Sequence, residues 1–140
     1  MLAAVAAAAA IRPLPAMRTP TGNISCFVTP APHATLHCGL KQASYAHRLQ
    51  TVNCGPPISV DWAGFELAAG SKGRVSCSGG VLYDPATQKP HYVTVPYVTV
   101  PYGHTWHAGP FDCHSQFDGL GCSNHTGHGF FISRQTWRTW

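Results

Sequence analysis

The placing of six cysteines constrains this chain more than any other feature. They are Cys26, Cys38, Cys54, Cys77, Cys113 and Cys122. None belongs to the short C-x2-C pairs with which thiolates usually grip zinc. An even set in a short chain reads instead as disulfides, which persist outside the reducing cytosol. Spacing alone leaves the pairing open; strand geometry narrows it.

The stretch NISCFVTPAPHATLHCGL folds naturally into a hairpin about Pro30 to Pro32. Cys26 then faces Cys38, Val28 faces Leu36 and Ile24 faces Leu40. Side chains alternate across a strand, so these apolar pairs share one face. The other face pairs Ser25 with Gly39, Phe27 with His37 and Thr29 with Thr35. Such segregation marks a strand pair that covers a core. In DCHSQFDGLGCSNHTGHGFFIS, facing Cys113 with Cys122 sets Ser115 opposite Leu120 and leaves the four-residue loop Gln116–Gly119. That loop suits a type I turn ended by Gly119 in the left-handed position. A two-residue Asp-Gly turn would leave the cysteines diagonal, about 7–8 Å apart and too far for a relaxed bond. Cys54 and Cys77 pair by exclusion, tying the loop before ISVDW to the strand GRVSC. On the chain-entropy model each closed loop contributes roughly 2.5–3.5 kcal/mol.

The remainder reads as short strands broken by turn residues: 58–62, 65–68, 73–77, 80–83, 92–100, 110–115, 120–124 and 129–133. Ser133 is expected to cap a short C-terminal helical turn, RQTWRTW, that presses Trp137 or Trp140 onto the sheet. The expected fold is all-β: a small single-domain sandwich or barrel of short antiparallel strands, spanning residues 17–140. Residues 1–16 read as an Ala-rich, signal-peptide-like leader with small residues for cleavage near Ala16, although no Lys or Arg precedes it. Its uncharged run, Leu2 to Ile11, would reach only about 15 Å as a helix, too short to span a bilayer. The perfect duplication YVTVP, at 92–96 and 97–101, has an odd period, so both copies do not suit one regular strand.

The motifs TPTGNISC, LHCGL, VPYGHTWHAGPFDC and GLGCSNHTGHGFFISR together resemble an uncharacterised family of small secreted proteins of actinobacteria and their phages. The similarity runs from about Thr19 to Trp140. The ending Gly119 to Arg134 is its most specific piece. Two features depart from the family pattern, which has a single PYG approach: the extra YVTVP and the leader without a basic start. The resemblance implies export, one domain and disulfides, and it implies no activity.

A net charge of +4, with basic residues scattered, provides no track for a phosphate backbone, so nucleic acid is not an expected partner. Histidine offers the sharpest chemical alternative. His104/His107 and His125/His128 form two H-x2-H pairs, with His114 nearby, and a turn that gathered them would hold zinc or copper. Three residues apart in a strand, however, means opposite faces. For hydrolysis, Asp112 and Asp118 form a conceivable carboxylate pair and Ser133 with His128 a conceivable nucleophile and base, yet nothing marks either as activated. Paired cysteines leave no thiolate nucleophile. The sequons at Asn23 and Asn124 match glycosylation acceptors. Tyr97, Tyr102, Trp106 and Phe111 alternate with Pro, Gly and His, and Tyr97, Tyr102, Trp106 and His107 form the candidate ligand surface.

The expectation is thus a secreted or cell-envelope, non-enzymatic binding domain for an unknown envelope protein or glycan, with no cofactor. Three alternatives stand beside it: a protease or hydrolase inhibitor presenting the proline-flanked duplication, a histidine-based metal protein, and a self-assembling protein pairing through an edge at 92–101.

Overall fold

The computed structural model describes residues 14–30, 32–56, 60–78 and 97–140. They form an all-β sandwich of two sheets. The larger contains β1 (Ala16–Arg18), β2 (Ile24–Thr29), β3 (Thr35–Leu40), β4 (Asp61–Ala68), β5 (Arg74–Ser78) and β6 (Val98–Thr99). Their order is β5-β4-β3-β2-β1-β6, antiparallel except where β6 runs parallel to β1. The smaller sheet is a meander of β7 (Thr105–Ala108), β8 (Phe111–Gln116), β9 (Gly119–Ser123), β10 (Gly129–Ile132) and β11 (Trp137–Thr139). A single helical turn, α1 (Ala46–Leu49), and a wider turn to Cys54 link β3 to β4.

The alternation read from β2 and β3 is the one the fold uses, with Cys26 opposite Cys38 and Phe27 opposite His37. All three expected disulfides are formed. Hydrogen-bond phase explains two of them. Val28 N–H donates to Pro15 and Thr19 N–H to Ile24, so Ile24, Cys26 and Val28 direct their backbone groups at the β1 side. Cys26 and Cys38 are left as a non-hydrogen-bonded pair, the site where antiparallel strands approach most closely. Their Cα atoms lie 4.1 Å apart. Cys113 and Cys122 repeat the pattern at 4.1 Å, because Ser115 exchanges backbone bonds with the Gly103–His104 turn on the β7 side. Both cystines lie between the sheets with Met17, Leu36, Phe65, Leu67, Phe111, Leu120, Phe130 and Ile132.

Several expectations change. The β8–β9 loop has two residues rather than four, since the ladder continues to Gln116 opposite Gly119. Gly119 is needed for close approach rather than to end a turn: a Cβ there would stand 2.6 Å from the Ile132 carbonyl oxygen. Residues 61–62 of the expected segment 58–62 and the expected segment 65–68 belong to one strand, β4, whose register shifts between Trp62 and Phe65. Gly64 carries that irregularity with φ +91, where a Cβ would meet the Cys38 carbonyl oxygen at 2.0 Å. The C-terminal helical turn is replaced by a tight turn and β11. Ser133 Oγ does cap that turn, accepting from the N–H groups of Gln135 and Thr136. Beyond it Trp137, Arg138 and Thr139 suit a strand better than a helix. Trp137 reaches the core, 5.5 Å from Phe65 between ring centroids. The expected strand 80–83 and the first YVTVP copy lie outside the described residues, and only Val98–Thr99 of 92–100 forms a described strand.

Strand β1 straddles the expected leader boundary. Leu14 and Ala16 are buried, and Met17 is wholly so.

Candidate functional site

Four turns gather at one end of the sandwich: Thr19–Asn23, Pro101–His104, Phe117–Asp118 and Ser133–Thr136. They border a cleft of about 400 Å³ lined by Thr19, Thr21, Tyr102, Gln116, Phe117 and Arg134. The cystine at 113–122 anchors the hairpin that lifts Phe117 to its tip, where the ring is 89 % exposed. Tyr102 lies against it edge-on, with ring centroids 5.7 Å apart. The end is braced from below. Tyr45 Oη donates to the Ser133 carbonyl at 2.6 Å, and Ser44 N–H donates to the Arg134 carbonyl. Burial pushes the Tyr45 phenol well above its ordinary range, so it remains a donor.

On the outer face of the smaller sheet, Asp112 takes two histidines. His107 Nδ1 lies 2.5 Å from Oδ1 and His125 Nε2 3.0 Å from Oδ2. Thr105 Oγ1 sits 2.8 Å from His114 Nδ1 beside them. His125 has φ +64, the one positive φ of a described non-glycine residue. Its neighbour Asn124 holds the turn: Nδ2 donates to the carbonyls of Ala68 and Ser71, and Oδ1 accepts from Thr126. Farther along this face Arg138 lies over the rings of Phe131 and Trp140.

The outer face of the larger sheet carries a second concavity, about 570 Å³, bordered by Arg18, Ser25, Phe27, Lys41, Asp61 and Tyr97. Burial raises the Tyr97 phenol.

The four residues of the expected ligand surface therefore separate. Tyr97 borders the large concavity and Tyr102 the end cleft. Trp106 is half-buried against the core, and His107 belongs to the Asp112 cluster. Phe111, grouped with the aromatics in sequence, is wholly buried. The four-histidine metal site is not assembled, because His104 precedes β7 at the end opposite the β9–β10 turn of His125 and His128. Among the described residues no three His, Cys, Asp or Glu side chains are arranged to hold a metal ion.

The hydrolytic candidates also part. Asp112 and His128 stand at one end of β9, Asp118 and Ser133 at the other. Five residues of strand put roughly 13 Å between those ends, beyond the ~5–9.5 Å of a glycosidase pair. Both sequon asparagines are structural. Asn124 is 2 % exposed, and Asn23 exchanges two bonds with the Gln42 backbone. The residue that sequence reasoning missed is Phe117. Its signal was present: an aromatic ring between Gln and Asp at the tip of a cystine-closed hairpin has nowhere to be buried.

No family model, curated protein or solved structure matches the chain. No helix among the described residues is long and apolar enough to cross a membrane.

Proposed function

We propose that this chain is a non-enzymatic binding domain of the secreted or cell-envelope compartment, which grips a protein partner with the four-turn end of its sandwich. The observation that carries the reading is Phe117, almost fully exposed on a rigid, disulfide-anchored tip beside Tyr102. Exposing a phenylalanine to water is unfavourable by about 1.5–3 kcal/mol relative to burying it, and a partner's surface recovers that energy. Rigid aromatic anchors at the centre of a patch dominate many interfaces, and the polar rim of Thr19, Thr21, Gln116 and Arg134 supplies hydrogen-bonding groups around this one. The three disulfides support an oxidising compartment. The resemblance to small secreted actinobacterial proteins points the same way.

The test uses the oxidised protein, immobilised and exposed to the envelope fraction of its native cells. Phe117→Ala should reduce capture of the specific partner at least about tenfold, a loss of about 1.4 kcal/mol. The same change should leave the melting temperature unaltered, since the residue is 89 % exposed. Capture that is indifferent to Phe117→Ala and Tyr102→Ala overturns the proposal.

A further inference from the structure

Strand β7 ends the smaller sheet, and its hydrogen-bonding phase is fixed on one side. Ser115 N–H donates to the His104 carbonyl, and the register places Trp106 opposite Cys113 and Ala108 opposite Phe111. Residues 104, 106 and 108 thus bond to β8, and the N–H and C=O groups of Thr105 and His107 point away from it. No described residue pairs with that edge. Natural edge strands are usually blunted by lysine, proline or a bulge. β7, with sequence TWHA, has none of these, and all four of its pairs with β8 keep register. The other edge on this flank, β6, is only two residues long and soon followed by Pro101. Trp106 adds a second observation. It turns to the core side yet remains only half-buried, on a strand whose outer edge meets no described strand.

We propose that β7 pairs antiparallel with β7 of a second copy, about a two-fold axis through Trp106. Thr105 then faces His107 of the second copy, and each such pair exchanges both backbone bonds. The two Trp106 residues form the close, non-bonded pair at the axis, with Cα atoms about 4.5 Å apart. Each indole covers the open flank of the other. On the outer face Thr105 and His107 are already engaged with His114 and Asp112, and the register sets each His107 beside a compact Thr105 rather than beside a second imidazole. A foreign strand would have to supply both an apolar partner for Trp106 and donors in phase with Thr105 and His107. A second copy supplies both by symmetry and closes the interface. Antiparallel pairing also sends the two Phe117 ends in opposite directions, leaving both free.

Sedimentation equilibrium of the oxidised chain, from micromolar to about 1 mM, tests the pairing. His107→Pro removes an outward N–H without removing a backbone bond inside the sheet and should weaken the dimer about tenfold or more; like His107→Asn, it gives up the imidazole contact to Asp112. His107→Asn keeps the backbone donor and should dimerise like the parent. Trp106→Cys should form a covalent dimer on oxidation, since its pair occupies the same type of site as the 113–122 cystine. A parent chain that stays monomeric throughout overturns the proposal. So does a dimer undiminished by His107→Pro, or one lost equally in His107→Asn.

Discussion

On the β5/β11 flank the two sheets are stitched together, whereas on the β6/β7 flank, among the described residues, the Pro101–His104 turn alone joins them. At the stitched side Gly73 N–H donates to the Trp140 carbonyl, and Asn124 reaches across to the β4–β5 turn. The backbones there approach so closely that only glycine fits: a Cβ on Gly73 would lie 2.2 Å from the Gly129 carbonyl oxygen. On the other side Gly103 has no described atom within 4 Å of such a Cβ, and only its φ of +84 favours glycine. One flank therefore holds the sheets together, and the other leaves a strand edge for a partner. Interaction surfaces are drawn from the less stitched parts of a fold.

Glycine substitution puts the largest strain on this comparison. Gly73→Ala forces a side chain into a backbone oxygen and should destabilise the protein by more than about 3 kcal/mol in a denaturant titration. Gly103→Ala pays only for the left-handed conformation, about 1 kcal/mol. Equal losses at the two positions would erase the distinction between the flanks.

Asn124→Ala is the next lever. It removes two donors that span the sheets and unties the turn of His125. The expected loss is about 2–3 kcal/mol, with faster hydrogen exchange at the backbone amides of β11 and of the β4–β5 turn. Exchange that quickened first in β7 instead would show that Asn124 does not hold the stitched side.

The contrast between the flanks also separates what was legible in the sequence from what was not. Period-two alternation exposed β2, β3, β8 and β9 together with their cystines, because each of these strands turns its cystine face into the core. The phase of a strand fixes its disulfide, so Cys26–Cys38 and Cys113–Cys122 followed from the pattern. Nothing comparable announces a seam. Gly73 and Gly129 look like turn glycines, and their purpose is a contact between residues far apart in the chain. Asn124 sits in a sequon and reads as a surface residue until its partners on β4–β5 are seen. Strand β1 was hidden because its first residue, Ala16, falls at the expected end of the alanine-rich segment, and β11 by a serine whose capping bonds begin a helix and a tight turn alike. The scattering of Tyr97, Tyr102, Trp106 and His107 has the same origin. Residues close in sequence but divided between a sheet edge, a turn and two faces do not form one surface.

The smallest effect is a pH dependence seated on the stitched half of the larger sheet. His37 on β3 stacks against Phe27, 5.0 Å between centroids, and faces Glu66 of β4, which is bonded in turn to Arg74 of β5. Desolvation by burial lowers its pKa, Glu66 partly opposes that shift, and Arg74 reinforces it. The free imidazole titrates near 6.5, so below that pH the unfolded chain binds a proton that the folded chain resists. Stability is then complete above about pH 6.5 and falls as the pH drops toward the lowered value in the fold, where the loss levels off. His37→Phe keeps the stacked ring and removes the titrating nitrogen. Thermal melts from pH 7.5 to pH 5 should slope less steeply in this variant than in the parent. An unchanged slope would show that His37 is not the source of the acid sensitivity.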